Sequence, residues 1–256
     1  MIHPSALIDP GAQIGENVKI GPFTTVGPRV EIGDNTEIGS HCVIEGPTTI
    51  GTDNRIFSFC ALGGEPQDKK FHGEETWLHI GNGNMIREYC TFNRGTADGG
   101  GVTRIGNDNW IMAYVHMAHD CIVGDDTIFA NAASLAGHVT VEDRVILGGF
   151  TLVHQFCRIG AYSFTSMGSI INRDVPPYVT VAGTMASPRG INSEGLRRRG
   201  FSAERIMMIK KAYRLLYKSG LRLNEATESL IDLANGENDV LRMVDFIQES
   251  KRSIVR

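Results

Sequence analysis

The segment IDPGAQIGENVKIGPFTTVGPRVEIGDNTEIG, residues 8–39, decides the fold of this chain. An aliphatic residue stands at every sixth position, usually followed by glycine, and the spacing continues to residue 62. These positions are Ile8, Ile14, Ile20, Val26, Ile32, Ile38, Ile44, Ile50, Ile56 and Leu62. Neither the helical period of about 3.6 residues nor the strand period of 2 explains a strict six. A repeat of six is typical of a parallel β-helix.

The same period resumes later in the chain. It returns at Ile80, Ile86 and Phe92, slips by one residue, and then runs from Ile105 to Ile159. Each unit is expected to form one flat side with its aliphatic residue inward, and glycine, Asn or Asp to give the corner its backbone freedom. Three sides close a coil of about 18 residues, and coils stack about 4.8 Å apart. Residues n, n+18 and n+36 therefore lie in one column.

The cysteines fit this arrangement. All five stand at the fifth position of a unit, where Val, Thr and Ala also occur: Cys42, Cys60, Cys90, Cys121 and Cys157. We interpret them as packing residues, because an odd number without a C-x-x-C pair argues against disulfides and structural zinc. The N-terminus lacks a signal-peptide pattern, and no apolar run approaches the length of a membrane span. A cytoplasmic protein without an integral membrane segment is predicted.

Two stretches interrupt the period, and a third region abandons it. Residues 63–79 and 94–104 break the register and are expected to project as loops. We predict a β-helix over 1–188, with the coils ending near Pro176 and Pro177, and a helical domain over 189–256. In that domain helices are expected to begin after Ser202, at Asn224, and at Asn238 or Asp239.

Charge divides the chain in the same way. Residues 1–186 carry 11 Lys and Arg against 20 Asp and Glu, whereas residues 187–256 carry 14 against 9. A basic C-terminal region suits an acidic partner, although a solvated helical face would have the same composition. No nucleic-acid partner is predicted, because the basic residues are not interleaved with aromatics and match no binding motif.

Column arithmetic brings four of the eight histidines to one edge of the prism. His119 shares a column with Gly137 and Gln155, and Asp120 shares the next column with His138 and Phe156. The other two histidines, His116 and His154, stand close by in the sequence. A cluster of this kind predicts a functional site.

Two chemistries are open for this cluster. The pair His116-x-x-His119 has ligand types suited to zinc, as in β-helical carbonic anhydrases. Alternatively, His119 oriented by Asp120 is a general base for acyl transfer to a hydroxyl, with the Gly137 N–H stabilising an oxyanion. Zinc chemistry leaves the basic C-terminal region without a role. We therefore favour the general base and predict no metal.

Six motifs carry a resemblance to a known family: QDKK (67–70), AHDCIVGDD (118–126), LAGHV (135–139), VHQFCRIGA (153–161), DVPPYV (174–179) and NSEGLRRRGF (192–201). With them the chain resembles, over nearly its whole length, the acyl-[acyl carrier protein]–UDP-N-acetylglucosamine O-acyltransferases of lipid A biosynthesis. The resemblance implies a left-handed parallel β-helix followed by a C-terminal α-helical domain. It also implies a homotrimer with active sites between neighbouring β-helices.

The resemblance further implies an activity. A (3R)-3-hydroxyacyl chain, carried on the phosphopantetheine of acyl carrier protein, passes to the glucosamine 3-hydroxyl of UDP-N-acetylglucosamine without a separate cofactor. His119 is implied as the general base, Asp120 as the residue that orients its ring, and Gly137 as the oxyanion donor. The positions that match substrate contacts are Asp68 and Lys70, then His116, His138, His154 and Gln155, and finally Asn192, Glu194, Arg198 and Arg199 for the nucleotide and its diphosphate.

Two further positions bear on specificity. Met167 matches the family position that closes the far end of the acyl groove, and it implies a preference for shorter chains. Asn93 stands where the family often has His, which leaves a 3-hydroxyl or a 3-amino acceptor open. The alternative activity is that of an N-acyltransferase acting on a related UDP-amino sugar.

Overall fold

Short strands recur throughout the first three quarters of the computed structural model, which describes all of residues 1–256. Most are two residues long and end on the aliphatic residue of the repeat. In chain order they are β1 (Leu7–Ile8), β2 (Gln13–Ile14), β3 (Lys19–Ile20), β4 (Thr25–Val26), β5 (Val30–Ile32), β6 (Glu37–Ile38), β7 (Val43–Ile44), β8 (Thr48–Ile50), β9 (Arg55–Ile56), β10 (Ala61–Gly64), β11 (Trp77–Ile80), β12 (Met85–Ile86), β13 (Thr91–Asn93), β14 (Val102–Ile105), β15 (Trp110–Ile111), β16 (His116–Met117), β17 (Ile122–Val123), β18 (Ile128–Phe129), β19 (Ser134–Leu135), β20 (Thr140–Val141), β21 (Ile146–Leu147), β22 (Leu152–Val153), β23 (Arg158–Ile159), β24 (Phe164–Thr165), β25 (Ile170–Ile171), β26 (Val179–Ala182) and β27 (Ser187–Ile191).

From β1 to β25, each strand pairs in parallel with the third strand before or after it, which produces the three faces of a left-handed β-helix. The first face runs from β1 to β25, the second from β2 to β23, and the third from β3 to β27. We call the corner between the first and second faces the first edge. The second edge follows the second face, and the third edge leads back to the first face. Met117 pairs with Leu135, 18 residues on, so the predicted columns are confirmed.

The corner glycines have a different role from the one predicted. The residue that adopts a left-handed backbone at most corners is not glycine: Asn17 and Phe23, for example, both have φ of 58°. Gly21 instead lies so close to the next coil that a Cβ would meet the carbonyl carbon of Gly39 at 2.7 Å. Glycine follows the aliphatic residue because neighbouring coils approach closely there, not because the turn needs a positive φ.

The coil interior is a continuous column of buried apolar side chains that runs the length of the prism. All five cysteines are free, and each is at most 1% exposed. Their place as packing residues in the coil wall is thereby confirmed. A second apolar cluster fills the C-terminal helices.

The coils continue beyond Pro176 and Pro177, so the predicted end of the ladder was wrong. Strand β26 follows these prolines and pairs in parallel with β24, and β27 then turns back antiparallel to β26. The prolines lie at a corner and in a turn, where no ladder hydrogen bond is required of their nitrogens. The predicted domain boundary at residue 188 falls inside β27.

Four helices follow: α1 (Ser193–Arg198), α2 (Ala203–Lys218), α3 (Leu223–Ala234) and α4 (Asn238–Glu249). Ser202 caps α2 as predicted, since its hydroxyl accepts the Arg205 N–H. Helix α3 begins one residue before Asn224, and α4 begins at Asn238. Helix α1, capped by Asn192, was not predicted. None of the four combines the length and apolar character needed to cross a bilayer.

The chain returns to the β-helix after α4. Asp174 donates its N–H to the Ser253 carbonyl and accepts the Val255 N–H at its own carbonyl. Its carboxylate accepts the Ser250 hydroxyl at 2.6 Å. Asp174 thus pairs with the C-terminal segment, and an isolated bridge joins Ile170 of the first face to Thr184. The last coil is covered on each of its three faces, because β27 covers the third.

Candidate active site

A histidine and a carboxylate lie in contact at the first edge, just after β16. The Nδ1 atom of His119 is 2.7 Å from Oδ2 of Asp120. The Asp120 side chain is 1% exposed, whereas that of His119 is 14% exposed. Because Nδ1 is engaged by the carboxylate, Nε2 is the nitrogen left to accept a proton.

Gly137 lies one coil above His119, as the column arithmetic predicted. A Cβ at residue 137 would stand 2.5 Å from Cε1 of His119, so the imidazole packs directly on this glycine. The Gly137 N–H has no hydrogen-bond partner in the protein, while its carbonyl accepts the Phe156 N–H. An unpaired backbone donor beside the imidazole is suited to stabilise an oxyanion.

Two threonines support Asp120, and neither was predicted from the sequence. Thr96 donates its N–H to Oδ1 at 2.8 Å and its hydroxyl to Oδ2 at 2.6 Å. The Thr103 hydroxyl accepts the backbone N–H of Asp120 at 2.8 Å. Thr96 caps the short 3₁₀ helix Ala97–Gly99, and a threonine at such a cap was the available signal.

The other histidines of the cluster lie where they were predicted. The ring of His138 stacks on Phe156 at 4.4 Å between centroids, and its Nδ1 is 3.8 Å from Oδ2 of Asp120. Burial lowers the pKa of His138, and the Asp120 charge partly offsets this. His154 and Gln155 are exposed at the same edge.

His116 occupies the first face beside this edge. Its Nδ1 is 2.7 Å from the Thr91 hydroxyl, and burial lowers its pKa. The side chains that come together as possible metal ligands are therefore not those of the His116-x-x-His119 pair. One ligand atom each of His119, Asp120 and His138 lie within 4.8 Å of one another.

Asp68 and Lys70 lie in the segment between β10 and β11, which leaves the prism at the first edge. The Lys70 N–H donates to the Asp68 carboxylate at 3.0 Å and lowers the pKa of that carboxyl. A cleft of about 40 Å³ joins this segment to the one that contains Thr96.

The C-terminal group of predicted contacts lies at a different edge. Arg199 bonds the carboxylate of Asp126, which stands at the second edge. Asn192 caps α1 and donates to the Tyr162 carbonyl at the same edge, and Glu194 pairs with Arg198. Asp120 and Asp126 are separated by one side of the prism, about 20 Å at 3.3 Å per residue. One chain alone does not bring this group to His119.

The two positions predicted to bear on specificity, Met167 and Asn93, also lie apart from each other. Met167 stands at the third edge with 79% of its surface exposed, so it closes no groove within one chain. Asn93 ends β13 on the first face and is 8% exposed. It donates to the Glu65 carbonyl at 2.8 Å, and its Oδ1 has no hydrogen-bond partner.

Family models match two parts of the chain. The model described as UDP N-acetylglucosamine O-acyltransferase, domain 2, matches residues 174–255. The model of the bacterial transferase hexapeptide, in six repeats, matches residues 11–46 and 103–137.

Full-length relatives agree with these matches. An acyl-[acyl-carrier-protein]–UDP-N-acetylglucosamine O-acyltransferase of Halorhodospira halophila is 60% identical and covers 100% of this chain and 99% of its own. One from Stenotrophomonas maltophilia is 57% identical, and the match covers 100% of this chain and 97% of the relative. The solved UDP-N-acetylglucosamine O-acyltransferase of Moraxella catarrhalis superposes with a TM-score of 0.97 at 46% identity. The match covers 100% of this chain and 99% of the solved chain. The chain therefore belongs to the acyl-[acyl-carrier-protein]–UDP-N-acetylglucosamine O-acyltransferase family.

Proposed function

We propose that this protein transfers a (3R)-3-hydroxyacyl chain from acyl carrier protein to the glucosamine 3-hydroxyl of UDP-N-acetylglucosamine, the first step of lipid A biosynthesis. One observation carries the proposal: His119 contacts both a buried carboxylate and a glycine whose N–H is unpaired. A general base and an oxyanion donor are the two groups that direct acyl transfer requires.

The reaction follows from that geometry. Nε2 of His119 takes the proton of the 3-hydroxyl as its oxygen attacks the thioester carbonyl carbon. The carbonyl oxygen becomes an oxyanion that accepts the Gly137 N–H, and Asp120 stabilises the imidazolium through Nδ1. When the tetrahedral intermediate collapses, the C–S bond breaks and the imidazolium returns its proton to the leaving thiolate. Each proton taken is thus given back, and no metal or other cofactor is required.

We also propose that the working unit is a homotrimer. The first edge carries His119, whereas the second edge carries Arg199 and Asn192. A neighbouring chain that sets its second edge against the first edge would bring the two groups into one cleft. There Arg198 and Arg199 are placed to bind a diphosphate, which guanidinium groups recognise well. The five reduced, buried cysteines support a cytoplasmic location.

The acceptor atom is the point on which the alternative activity differs. Asn93 lies among the residues next to the site, and it can form hydrogen bonds but cannot titrate. An amino acceptor at the 3-position would give an amide in place of an ester. Both acceptors would use the same base and oxyanion donor.

The test is a transfer assay with 3-hydroxyacyl carrier protein and UDP-N-acetylglucosamine, with the 3-amino analogue run in parallel. We expect transfer to the hydroxyl, and His119→Ala is expected to lower kcat by about 10²–10⁴-fold. His41→Ala, at the third edge, is the matched control and should leave kcat unchanged. Transfer only to the amino analogue would establish the alternative. Loss of activity on addition of a chelator would favour the zinc alternative.

A further inference from the structure

We propose that Thr96 is a positioning residue that fixes the carboxylate of Asp120 and, through it, the orientation and tautomer of His119. The inference rests on the proposed role of His119 as general base. Thr96 lies in the Gly-rich segment between β13 and β14. Thr96 donates a hydrogen bond to each carboxylate oxygen of Asp120: its N–H is 2.8 Å from Oδ1, and its hydroxyl is 2.6 Å from Oδ2.

Burial makes these two bonds important. Thr96 is 7% exposed, and the Asp120 side chain is 1% exposed. No lysine or arginine pairs with this carboxylate; His119 and His138 are its only nearby basic groups. A buried carboxylate without a cationic partner depends on hydrogen-bond donors to replace water. Thr96 supplies two of the three donors, and Nδ1 of His119 supplies the third.

The neighbouring residues fix the direction of the threonine hydroxyl. The Gly99 N–H donates to Oγ1 of Thr96 at 3.2 Å, which directs the hydroxyl proton to Asp120. Gly99 itself lies against the carboxylate, since a Cβ there would collide with Cγ and both oxygens of Asp120. The 3₁₀ helix therefore packs directly on the carboxylate.

The consequence concerns the proton on His119. Oδ2 of Asp120 receives both the Thr96 hydroxyl and Nδ1 of His119. With the carboxylate plane fixed, the proton of the neutral imidazole stays on Nδ1 and the lone pair on Nε2 faces the acceptor. Without the hydroxyl the carboxylate rotates more freely about its terminal torsion, and the imidazole loses its single orientation. A disordered imidazole stabilises the transition state less well but does not alter contacts to the bound substrates. Removal of the hydroxyl therefore reduces kcat and not substrate binding.

The decisive variant is Thr96→Val, which keeps the N–H and the side-chain shape but removes the hydroxyl. We expect kcat to fall about 10- to 100-fold, with both KM values within about twofold of wild type. Thr96→Ser should restore kcat to within about threefold, because it returns the hydroxyl. Nitrogen-15 NMR of the full chain without substrates should show His119 as the Nδ1–H tautomer in wild type and as a mixture in Thr96→Val.

Thr36→Val is the matched control. Its buried hydroxyl donates to the Gly51 carbonyl at 2.9 Å, several coils away, so its loss should change neither kcat nor the His119 tautomer. If Thr96→Val does not fold, Gly99→Ala replaces it, since its methyl group would displace the same carboxylate. A folded variant with wild-type kcat and tautomer would overturn the proposal. So would a Thr96→Ser variant as slow as Thr96→Val.

The two proposals fail separately. An active His119→Ala variant would refute the role of His119 as general base, and the role of Thr96 would fall with it. A wild-type protein that does not transfer the acyl chain would refute the proposed function. An inactive His119→Ala variant, beside Thr96→Val with unchanged kcat and tautomer, would refute only the role of Thr96.

Discussion

The imidazole of His119 packs on the backbone of Gly137, and a Cβ at residue 137 would come within 2.5 Å of Cε1 and 2.7 Å of Nε2. The two residues are one coil apart, so the contact is a direct result of the 18-residue register. Any side chain at 137 would displace the imidazole from the unpaired N–H of the same residue. Base and oxyanion donor can be this close only because residue 137 is glycine.

We therefore expect Gly137→Ala to lower kcat by about 10²–10³-fold, the usual cost of losing an oxyanion donor. The added methyl group pushes the ring of His119 and separates it from the N–H. Single-turnover acyl transfer measures the effect on the chemical step.

Gly149→Ala is the control for that substitution. A Cβ at residue 149 would have one neighbour, the Asn131 carbonyl oxygen at 3.4 Å, and the residue lies at the third edge. It should keep wild-type kcat. Equal losses in both variants would mean that the effect is one of folding.

Binding of the acyl donor is expected to depend on salt. Helix α2 exposes Lys210 and Lys211 without ion-pair partners, and acyl carrier proteins are acidic. The KM for the carrier protein should rise with ionic strength, because the Debye length falls from about 10 Å at 0.1 M. Lys210→Glu should raise it further, whereas Lys19→Glu, in the N-terminal coils, should not. Equal effects of the two reversals would place the docking surface elsewhere.

Acyl-chain preference should follow Met167. Met167 matches the family position that closes the acyl groove, and we expect a neighbouring chain of the proposed trimer to complete that groove over this exposed side chain. We expect a preference for about ten to twelve carbons, since each methylene left unburied costs about 0.8 kcal/mol. Rates with donors of increasing length should show the optimum of Met167→Gly moving to longer chains. Met207→Ala, on α2, should leave it in place, and an unmoved optimum in Met167→Gly would refute the assignment.

The thiols should be unreactive while the protein is folded. Burial raises the pKa of Cys121 to about 12 and that of Cys157 to about 11. An aromatic disulfide reagent at pH 8 should label none of the five cysteines before denaturant is added, and all five afterwards. Unfolded thiols ionise at lower pH than these folded ones, so they should also reduce stability as pH rises above about 9. Rapid labelling of the native protein would contradict the assigned packing.

Periodicity predicted the parts of the molecule that lie inside the repeat. A strict spacing of six places inward residues, and stacking then brings His119 to Gly137 and Asp120 to His138 without further information. The same arithmetic identified the cysteines as packing residues. These predictions hold because one interaction, ladder pairing, determines the position of every coil residue.

Features outside the repeat could not be obtained in this way. The path of the segment that brings Thr96 onto Asp120 depends on its own turns, and no period constrains it. Helix α1 buries only Leu196 and is too short for an apolar stripe. The place of Arg199 at the second edge depends on its contact with Asp126, 73 residues away in the sequence. The sequence shows that glycine follows the aliphatic residue of many units. The cause is the close approach of neighbouring coils at that position, which a single sequence does not indicate.

The pairing of Asp174 with the C-terminal segment has a consequence for solubility. A stack of coils ends in three unpaired strand edges, each able to recruit a strand from another molecule. Here β27, Thr184 and the segment around Ile254 occupy those edges at the C-terminal end. The C-terminal segment thus prevents another molecule from pairing with the strand edge at Asp174. This protection against end-to-end assembly is separate from catalysis. Removing a few C-terminal residues would expose that edge.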